Sequence, residues 1–185
     1  GKNIGETYRG EINIIAQINA ETLITEAQGL FHNYLKGESE LAINVTLNFL
    51  PTGFNYLAEI NSQLVGLTSE LPVPFAKGAD IPWQLTAQVQ GDEISNLITA
   101  SVNNQIYFNA ILANASAKMT NAHLILGSQD LGLNREDFTV SINLEETPLL
   151  SWVTLIDQII TVSQVETQSE GVLPPLKEVV GQINR

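Results

Sequence analysis

The chain has 185 residues and a formal net charge of −12, with 8 basic and 20 acidic side chains and no cysteine. Binding to nucleic acid or to an anionic membrane surface needs a basic patch, so this charge argues against both. The absence of cysteine excludes disulfides, zinc–thiolate sites and thiol nucleophiles. No apolar run reaches the roughly 18 residues that a spanning helix needs, and we expect no transmembrane segment in this chain.

Two periodicities alternate in the first third of the chain. Alternating apolar and polar residues over 9–19 predict a first strand, and the same pattern over 40–49 and 54–60 predicts two more. A Pro-Thr-Gly sequence at 51–53 supplies the turn between these two. Residues 21–35 carry apolar side chains at helical spacing instead, so we expect an amphipathic helix there.

The alternation is interrupted over Leu71–Leu85, which we call the proline stretch. Its first two prolines have no backbone N–H and a fixed φ, which excludes a central strand. Phe75 and Trp83 are large apolar side chains that favour burial, and Lys77 is one of only 8 basic residues. We therefore expect a rigid aromatic crossover between two sheet segments, preceded by a turn or bulge where the alternation changes parity.

Alternation returns in the second half of the chain. It predicts strands over residues 83–90, 94–102, 105–112, 120–127 and 137–145. Gly91-Asp92 and Asn103-Asn104 have the composition of hairpin turns and flank one of these strands. Consecutive strands joined by such turns favour antiparallel neighbours.

Two further helices are expected near the end. Thr147 followed by Pro148 is typical of an N-cap and a first helical residue, and predicts a helix over 148–162. The apolar stripe predicted for it consists of Leu149, Trp152, Val153, Ile156, Ile159 and Ile160. A pair of prolines then precedes a short third helix, predicted from the spacing of Leu176, Val179, Val180 and Ile183.

These elements predict an α+β fold. Its main part is a predominantly antiparallel, twisted β-sheet of about eight or nine strands, with two or three amphipathic helices covering part of one face. The length fits one domain, so residues 1–185 are expected to form a single β-rich module. Since the sequence opens at Gly1 without an initiating Met, we expect this module to be excised from a larger protein.

No motif in the sequence indicates catalysis. His32 and His123 are the only histidines, and neither has the spacing of metal ligands. The neighbouring acids at 92–93 and 145–146 point to opposite sides of a strand, so they do not converge on one substrate. We therefore expect no enzyme, no metal and no cofactor, and a surface or hydrogen-bonded role for the histidines.

Several segments resemble the YhdP family of AsmA-like envelope proteins. They are YLKGESEL, PTGFNY, SQLVGLTSELPVPFAKGADIPWQL, NAHLILG and GLNREDFTVSINLEETPLLSWVTLI. The specific part is an LPxPFxK…PW loop, which consists of Leu71, Pro72, Pro74, Phe75, Lys77, Pro82 and Trp83. The resemblance covers most of the chain from Tyr34 onward.

This resemblance implies a periplasmic segment of a protein that is anchored in the inner membrane. Members of the family resemble bridge-like carriers, in which a long stacked β-sheet groove moves phospholipid between the inner and the outer membrane. The implied partners are phospholipid or acyl chains and neighbouring β modules of the same protein. The resemblance implies no cofactor and no catalytic residue.

The residues themselves favour a similar interpretation. Large exposed apolar patches are rare on soluble proteins, and acyl chains can cover one, each buried CH₂ contributing about 0.8 kcal/mol. The side chains expected to face lipid are Ile43, Val45, Leu47, Phe49, Phe54, Tyr56, Ile60, Leu85 and Val89. The helices over 21–35 and 148–162 can instead close this face as an ordinary core. Lys77 can meet a phosphate headgroup or pair with a carboxylate.

Two other classes of function stay open. A non-catalytic structural or interaction module of the bacterial envelope would pair its open sheet edges with a neighbour. A glycan hydrolase would use Asp and Glu side chains, but no spacing in the sequence supports one.

Overall fold

The computed structural model describes residues 7–22, 31, 33–127, 137–145, 149–165, 172–174 and 176–184. Within these ranges the chain forms twelve strands and one long helix, besides a short helical stretch at residues 20–22. The strands are β1 Tyr8–Asn19, β2 Leu35–Lys36, β3 Glu38–Leu50, β4 Gly53–Ser62, β5 Thr68–Glu70, β6 Ala76–Lys77, β7 Leu85–Asp92, β8 Ser95–Val102, β9 Ile106–Ala113, β10 Lys118–Gly127, β11 Asp137–Glu145 and β12 Leu176–Asn184, and the helix is α1 Leu149–Val165.

Nine of these strands form one sheet in the order β1-β3-β4-β7-β8-β9-β10-β11-β12. The neighbouring pairs from β1 to β10 are antiparallel, and the pairs β10–β11 and β11–β12 are parallel. The prediction of a β-rich fold with eight or nine strands in its main sheet is confirmed. Its antiparallel arrangement is wrong for the last two pairs, so the sheet is mixed.

The register separates the sheet into two chemically different faces, because directly paired residues point to the same side. One row across the nine strands is apolar and consists of Ile14, Ile43, Ile60, Ala87, Ala100, Phe108, Leu124, Val140 and Val179. The adjacent row points to the other side, is polar, and consists of Asn13, Asn44, Glu59, Gln88, Thr99, Asn109, His123, Thr139 and Glu178. We call the side that carries the first row the apolar face.

A second, small sheet has the order β2-β5-β6. Leu35 pairs with Ser69, and Ser69 pairs with Lys77. The turn predicted before the proline stretch is present, since β4 ends at Ser62 and Leu64 has a φ of 48°. The proline stretch joins this small sheet through β6 and contributes no strand to the large one, as its prolines predicted.

The main core lies between part of the apolar face, α1 and the proline stretch. Its buried members are Leu71, Phe75, Ala110, Ala122, Leu126, Phe138, Val140, Ile142, Leu144, Trp152, Leu155 and Ile159. The rings of Phe75 and Trp152 meet edge to face, with centroids 5.6 Å apart and planes at 85°, a favoured aromatic geometry. The Trp152 Nε1–H donates to the Val73 carbonyl at 3.3 Å, which fixes the proline stretch to the helix.

The prediction of a third helix is wrong, because residues 176–184 form β12. The apolar side chains of this short segment have helical spacing, but Val179 and Ile183 pair with Val140 and Leu144 of β11. Pairing with a formed strand thus decides the conformation of a segment rich in β-branched residues.

The first predicted helix is only partly testable, since residues 23–30 and His32 lie outside the described ranges. Helical backbone is present at residues 20–22, but the helix does not continue to residue 35 as predicted. Tyr34 lies in a turn, where its N–H donates to the Phe31 carbonyl at 2.8 Å. Leu35 begins β2 because it is drawn into the small sheet against Ser69.

The second predicted helix is confirmed as α1, although its buried stripe differs from the predicted one. Trp152, Leu155 and Ile159 are buried, whereas Val153 and Ile160 are 56% and 39% exposed. The helix is apolar on more than one side, so periodicity alone does not select the side that packs against the sheet. The predicted N-cap and first residue, at 147–148, lie outside the described ranges.

Candidate functional site

All nine side chains that the sequence predicted to face lipid lie on the apolar face. Ile43 and Ile60 belong to the row that defines this face. The other seven lie on the same side, because each is an even number of residues along its strand from a member of that row. They are Val45, Leu47, Phe49, Phe54, Tyr56, Leu85 and Val89. The structure therefore brings these residues onto one continuous surface. Phe49 is 49% exposed and the others are half-buried.

The apolar face is covered unevenly. On β1, Ile12 and Ile14 are 47% and 42% exposed, although both point to the apolar face. At the far side of the same face, Val140 and Ile142 on β11 are 0% and 2% exposed beneath α1. We call β1, β3 and β4 the open part of the face, and β9, β10 and β11 with α1 the closed part.

An apolar cavity lies where the small sheet stands over one end of the apolar face. Its volume is about 260 Å³, and it is partly enclosed. The floor consists of Leu85, Val102, Ile106, Leu124 and Leu126 from the large sheet. The other lining residues include Leu35, Leu64, Leu67, Leu71 and Trp83. A lining this poor in polar groups favours hydrocarbon over water.

Lys77 holds the small sheet to the chain segment that follows β4. Its ammonium donates to the carbonyls of Leu64 at 2.7 Å, Leu67 at 2.6 Å and Gly78 at 3.1 Å. The residue is only 7% exposed. Burial lowers the pKa of Lys77, and the nearby Asp80 carboxylate acts in the opposite direction. Because its three donors are occupied by carbonyls, Lys77 braces the loop and does not point a charge at a headgroup.

A chain of polar side chains lies on the apolar face near the end opposite the cavity. The Tyr56 hydroxyl donates to Asn96 Oδ1 at 2.6 Å, and Asn96 Nδ2 donates to Asn114 Oδ1 at 2.6 Å. Asn114 Nδ2 in turn donates to the Asp92 carbonyl at 2.8 Å. We call Tyr56, Asn96 and Asn114 the amide cluster. It is the polar end of an otherwise apolar strip.

The acids at 92–93 and His123 make local hydrogen bonds in the structure. Asp92 Oδ1 accepts hydrogen bonds from the N–H groups of Ile94 and Ser95, which lower the pKa of Asp92. Glu93 Oε1 accepts from the Phe54 N–H at 2.8 Å. His123 Nε2 lies 2.8 Å from Ser141 Oγ, on the polar side of the sheet. Among the described residues, no group of His, Asp and Glu has the arrangement of a metal site.

The sequence pattern predicts neither the amide cluster nor the apolar cavity. Tyr56 was expected to face lipid, but its hydroxyl ties it to Asn96, which pairs with Gly91 of β7. One signal was available, since Asn96 and Asn114 are amides at the ends of two predicted neighbouring strands. The cavity depends on how the small sheet folds over the large one, and periodicity carries no information on that packing.

Comparison with known proteins decides the family. A family model described as YhdP protein matches residues 2–185. The chain belongs to the YhdP family. This is a family of AsmA-like envelope proteins and is not known as a family of enzymes. No curated protein and no solved structure matches the chain. Within the described residues of this YhdP-family chain, helices of the length and apolarity that span a bilayer are absent.

Proposed function

We propose that this chain is a segment of a periplasmic carrier, anchored in the inner membrane, that moves phospholipid between the two membranes of the envelope. In this proposal acyl chains lie on the apolar face while headgroups stay in water. Membership of an envelope family supports it. The observation that carries it is the apolar row across nine strands, whose residue on β1, Ile14, is 42% exposed.

Energetics support a lipid guest on the open part of the face. Burial of apolar surface contributes about 25 cal/mol per Å². Side chains of the open part that are exposed by more than two fifths, such as Tyr8, Ile12 and Phe49, would each regain part of this energy under an acyl chain. The net charge of −12 also reduces adhesion of the segment to anionic bilayers, which suits a carrier that must not stick to its donor membrane.

The sheet edges suggest how such a segment is built into a longer carrier. β1 is the first strand of the sheet order and has 12 residues, with neither Pro nor Lys. Natural proteins use those residues to block pairing of edge strands. In our proposal a neighbouring β module of the same protein pairs with such an edge, so that the apolar face continues from module to module. Residues 1–185 then act as one module of that carrier.

The test uses two neighbouring isoleucines on β1. Ile14 points to the apolar face, where it pairs with Ile43, and Ile15 points to the polar side, where it pairs with Ala42. Ile14→Asp should weaken binding of a fluorescent fatty acid to the delipidated chain by at least about tenfold, because a carboxylate next to hydrocarbon must be desolvated. Ile15→Asp, the same change on the other side and at a more exposed residue, should leave binding unchanged.

Mass spectrometry of the purified chain supplies an independent measurement. Co-purified phospholipid is expected with the wild-type chain and with Ile15→Asp, and less of it with Ile14→Asp. No fatty-acid binding by the wild type, or equal losses in both variants, would overturn the proposal.

The edge strand β1 also supports a second candidate, a purely structural module of the envelope. The observation in its favour is the same 12-residue strand β1 at the end of the sheet order. A chain that self-associates through this edge but binds no acyl probe would favour the structural role over lipid transport.

A further inference from the structure

We infer that the apolar face contains a blind-ended slot for one acyl chain, with the methyl end in the apolar cavity and the headgroup at the amide cluster. This inference rests on the proposed function and adds to it a position, an orientation and a length limit for one bound acyl chain, beside those that lie on the open part of the face.

The two ends of the slot are one acyl-chain length apart. Leu85 and Val102, in the floor of the cavity, are directly paired, and so are Gly91 and Asn96 at the amide cluster. Six residues separate the two pairs along each strand, which corresponds to about 20 Å at the rise of a β-strand. One leaflet contributes about 15 Å, half of the roughly 30 Å hydrocarbon core of a bilayer, so the separation is of the order of one acyl-chain length.

Apolar side chains line the path between the two ends. On β7 and β8, Ala87 pairs with Ala100 in the apolar row, and Val89 pairs with Ile98 one step further along the same face. Beside the alanine pair, larger side chains follow in the same row, namely Ile60 on β4 and Phe108 on β9. The path from the cavity to the amide cluster is therefore apolar along its length, with its smallest side chains at the two alanines.

The cavity sets the length limit. A cavity of roughly 150 Å³ holds the six carbons of benzene. The volume of about 260 Å³ under the small sheet therefore holds roughly ten carbons, which is the distal half of a common acyl chain. The hydrogen bonds of Lys77 to Leu64 and Leu67 fix two chain segments that line this end, so it is braced against opening.

The opposite end suits a headgroup. Tyr56 and Asn114 are the two ends of a hydrogen-bonded chain of side chains; Tyr56 is half-buried and Asn114 is exposed, whereas Asn96 between them is 7% exposed. Hydroxyl and amide groups have both donor and acceptor capacity, so they can bind the polar part of a lipid without a fixed charge. Asp92 Oδ1 and Glu93 Oε1 in the adjoining turn already accept hydrogen bonds from backbone N–H groups.

The experiment measures how affinity depends on chain length. Saturated fatty acids from about eight to about eighteen carbons compete with a fluorescent fatty acid for the delipidated full chain, and each added methylene should raise affinity roughly fourfold until the cavity is full. Val102→Phe fills the floor of the cavity and should shift this plateau to chains shorter by roughly three carbons. Val45→Phe, the same change on the open part of the face, should leave the plateau where it is.

A second variant removes side-chain volume from the cavity lining, so that the test does not depend on a larger side chain being accommodated without distortion of the fold. Leu124→Ala enlarges the cavity and should shift the plateau to longer chains, in the opposite direction from Val102→Phe. A wild-type affinity that rises without a plateau, or a plateau that neither cavity variant moves, would overturn the slot while leaving lipid binding to the face intact. Failure of every fatty acid to bind the wild type would overturn the proposed function with it.

Discussion

The open and the closed part of the apolar face have the same sequence pattern and opposite surroundings. In one row of paired residues, Ile14 at the β1 end is 42% exposed, while Val140 near the other end is 0% exposed. Both are β-branched aliphatic side chains; Val140 lies between Thr139 and Ser141, and Ile14 lies between Asn13 and Ile15. The difference comes from α1 and the proline stretch, whose buried side chains form one core with those of β9 to β11, with partly buried side chains of β8 and β12 packed against it. Alternation therefore predicts which side of a sheet is apolar, and the covering elements decide which part of it becomes core.

The division suggests two roles in one sheet. The closed part supplies a hydrophobic core, to which Trp152 and Phe75 contribute the largest buried rings. That core allows the open part to keep apolar side chains at the surface without loss of the fold. Mutations should therefore affect stability in one part and binding in the other.

The largest effect is expected from Trp152→Ala. This change removes a side chain that is 2% exposed and that packs against Phe75, so the free energy of unfolding should fall by about 3–5 kcal/mol. Phe49→Ala in the open part, where the ring is 49% exposed, should lower it by less than about 1 kcal/mol. Urea unfolding followed by far-UV circular dichroism measures the free energy of unfolding of both variants. Equal losses would mean that the open part is also core.

A smaller loss is expected from Lys77→Met, which tests the brace between the small sheet and the rest of the chain. The variant leaves the carbonyls of Leu64 and Leu67 without their charged donor, at a cost of about 1–3 kcal/mol. The matched control is Lys36→Met on β2, the other outer strand of the small sheet. Lys36 is exposed and paired with Glu70 at 2.8 Å, so its loss should cost less than about 1 kcal/mol.

The pH dependence of the free energy of unfolding, compared between the wild type and Lys77→Met, separates the contribution of the Lys77 charge from that of its packing. Burial lowers the pKa of Lys77 below 10.5 in the folded chain, so the unfolded chain binds more protons between the two pKa values. Stability of the wild type should therefore rise with pH in the window just below 10.5, relative to Lys77→Met. If the difference in free energy of unfolding between the two proteins stays constant through this window, burial is not the dominant influence on the pKa of Lys77.

The sequence predicted much of the fold, because most of its strands are half-buried and antiparallel. The turn at Asn103-Asn104 is an example: both residues have positive φ, 50° and 53°, as a tight hairpin between β8 and β9 requires. The prediction of a helix at the segment that forms β12 is wrong, because nine residues with two adjacent valines fit the period of a helix as well as that of a strand. Only the presence of β11 as a parallel partner decides between them.

The candidate site was predictable in part for a related reason. Strand parity alone placed Ile43 and Val89 on the same side of one sheet, and the register agrees. The apolar cavity was not predictable, because it depends on the contact between β5 and β6 and the floor residues of β7 to β10, which are distant in sequence. The role of Lys77 was not predictable either, since its acceptors are backbone carbonyls, which every residue has.

The smallest expected effect concerns the turn beside the amide cluster, which belongs to neither the open nor the closed part. Two backbone N–H groups lower the pKa of Asp92 below its usual 3.8 in the folded chain. Its stabilising contribution is therefore complete above that value and disappears as the pH falls through the lower, folded pKa.

Asp92→Ala should be less stable than the wild type near neutral pH, and the difference should shrink on acidification. Asp92→Asn keeps an oxygen acceptor for the two N–H groups and should lack this pH dependence. Thermal unfolding of the three proteins from neutral to strongly acidic pH measures it. A gap between wild type and Asp92→Ala that is unchanged by acid would show that the carboxylate charge contributes nothing to the turn.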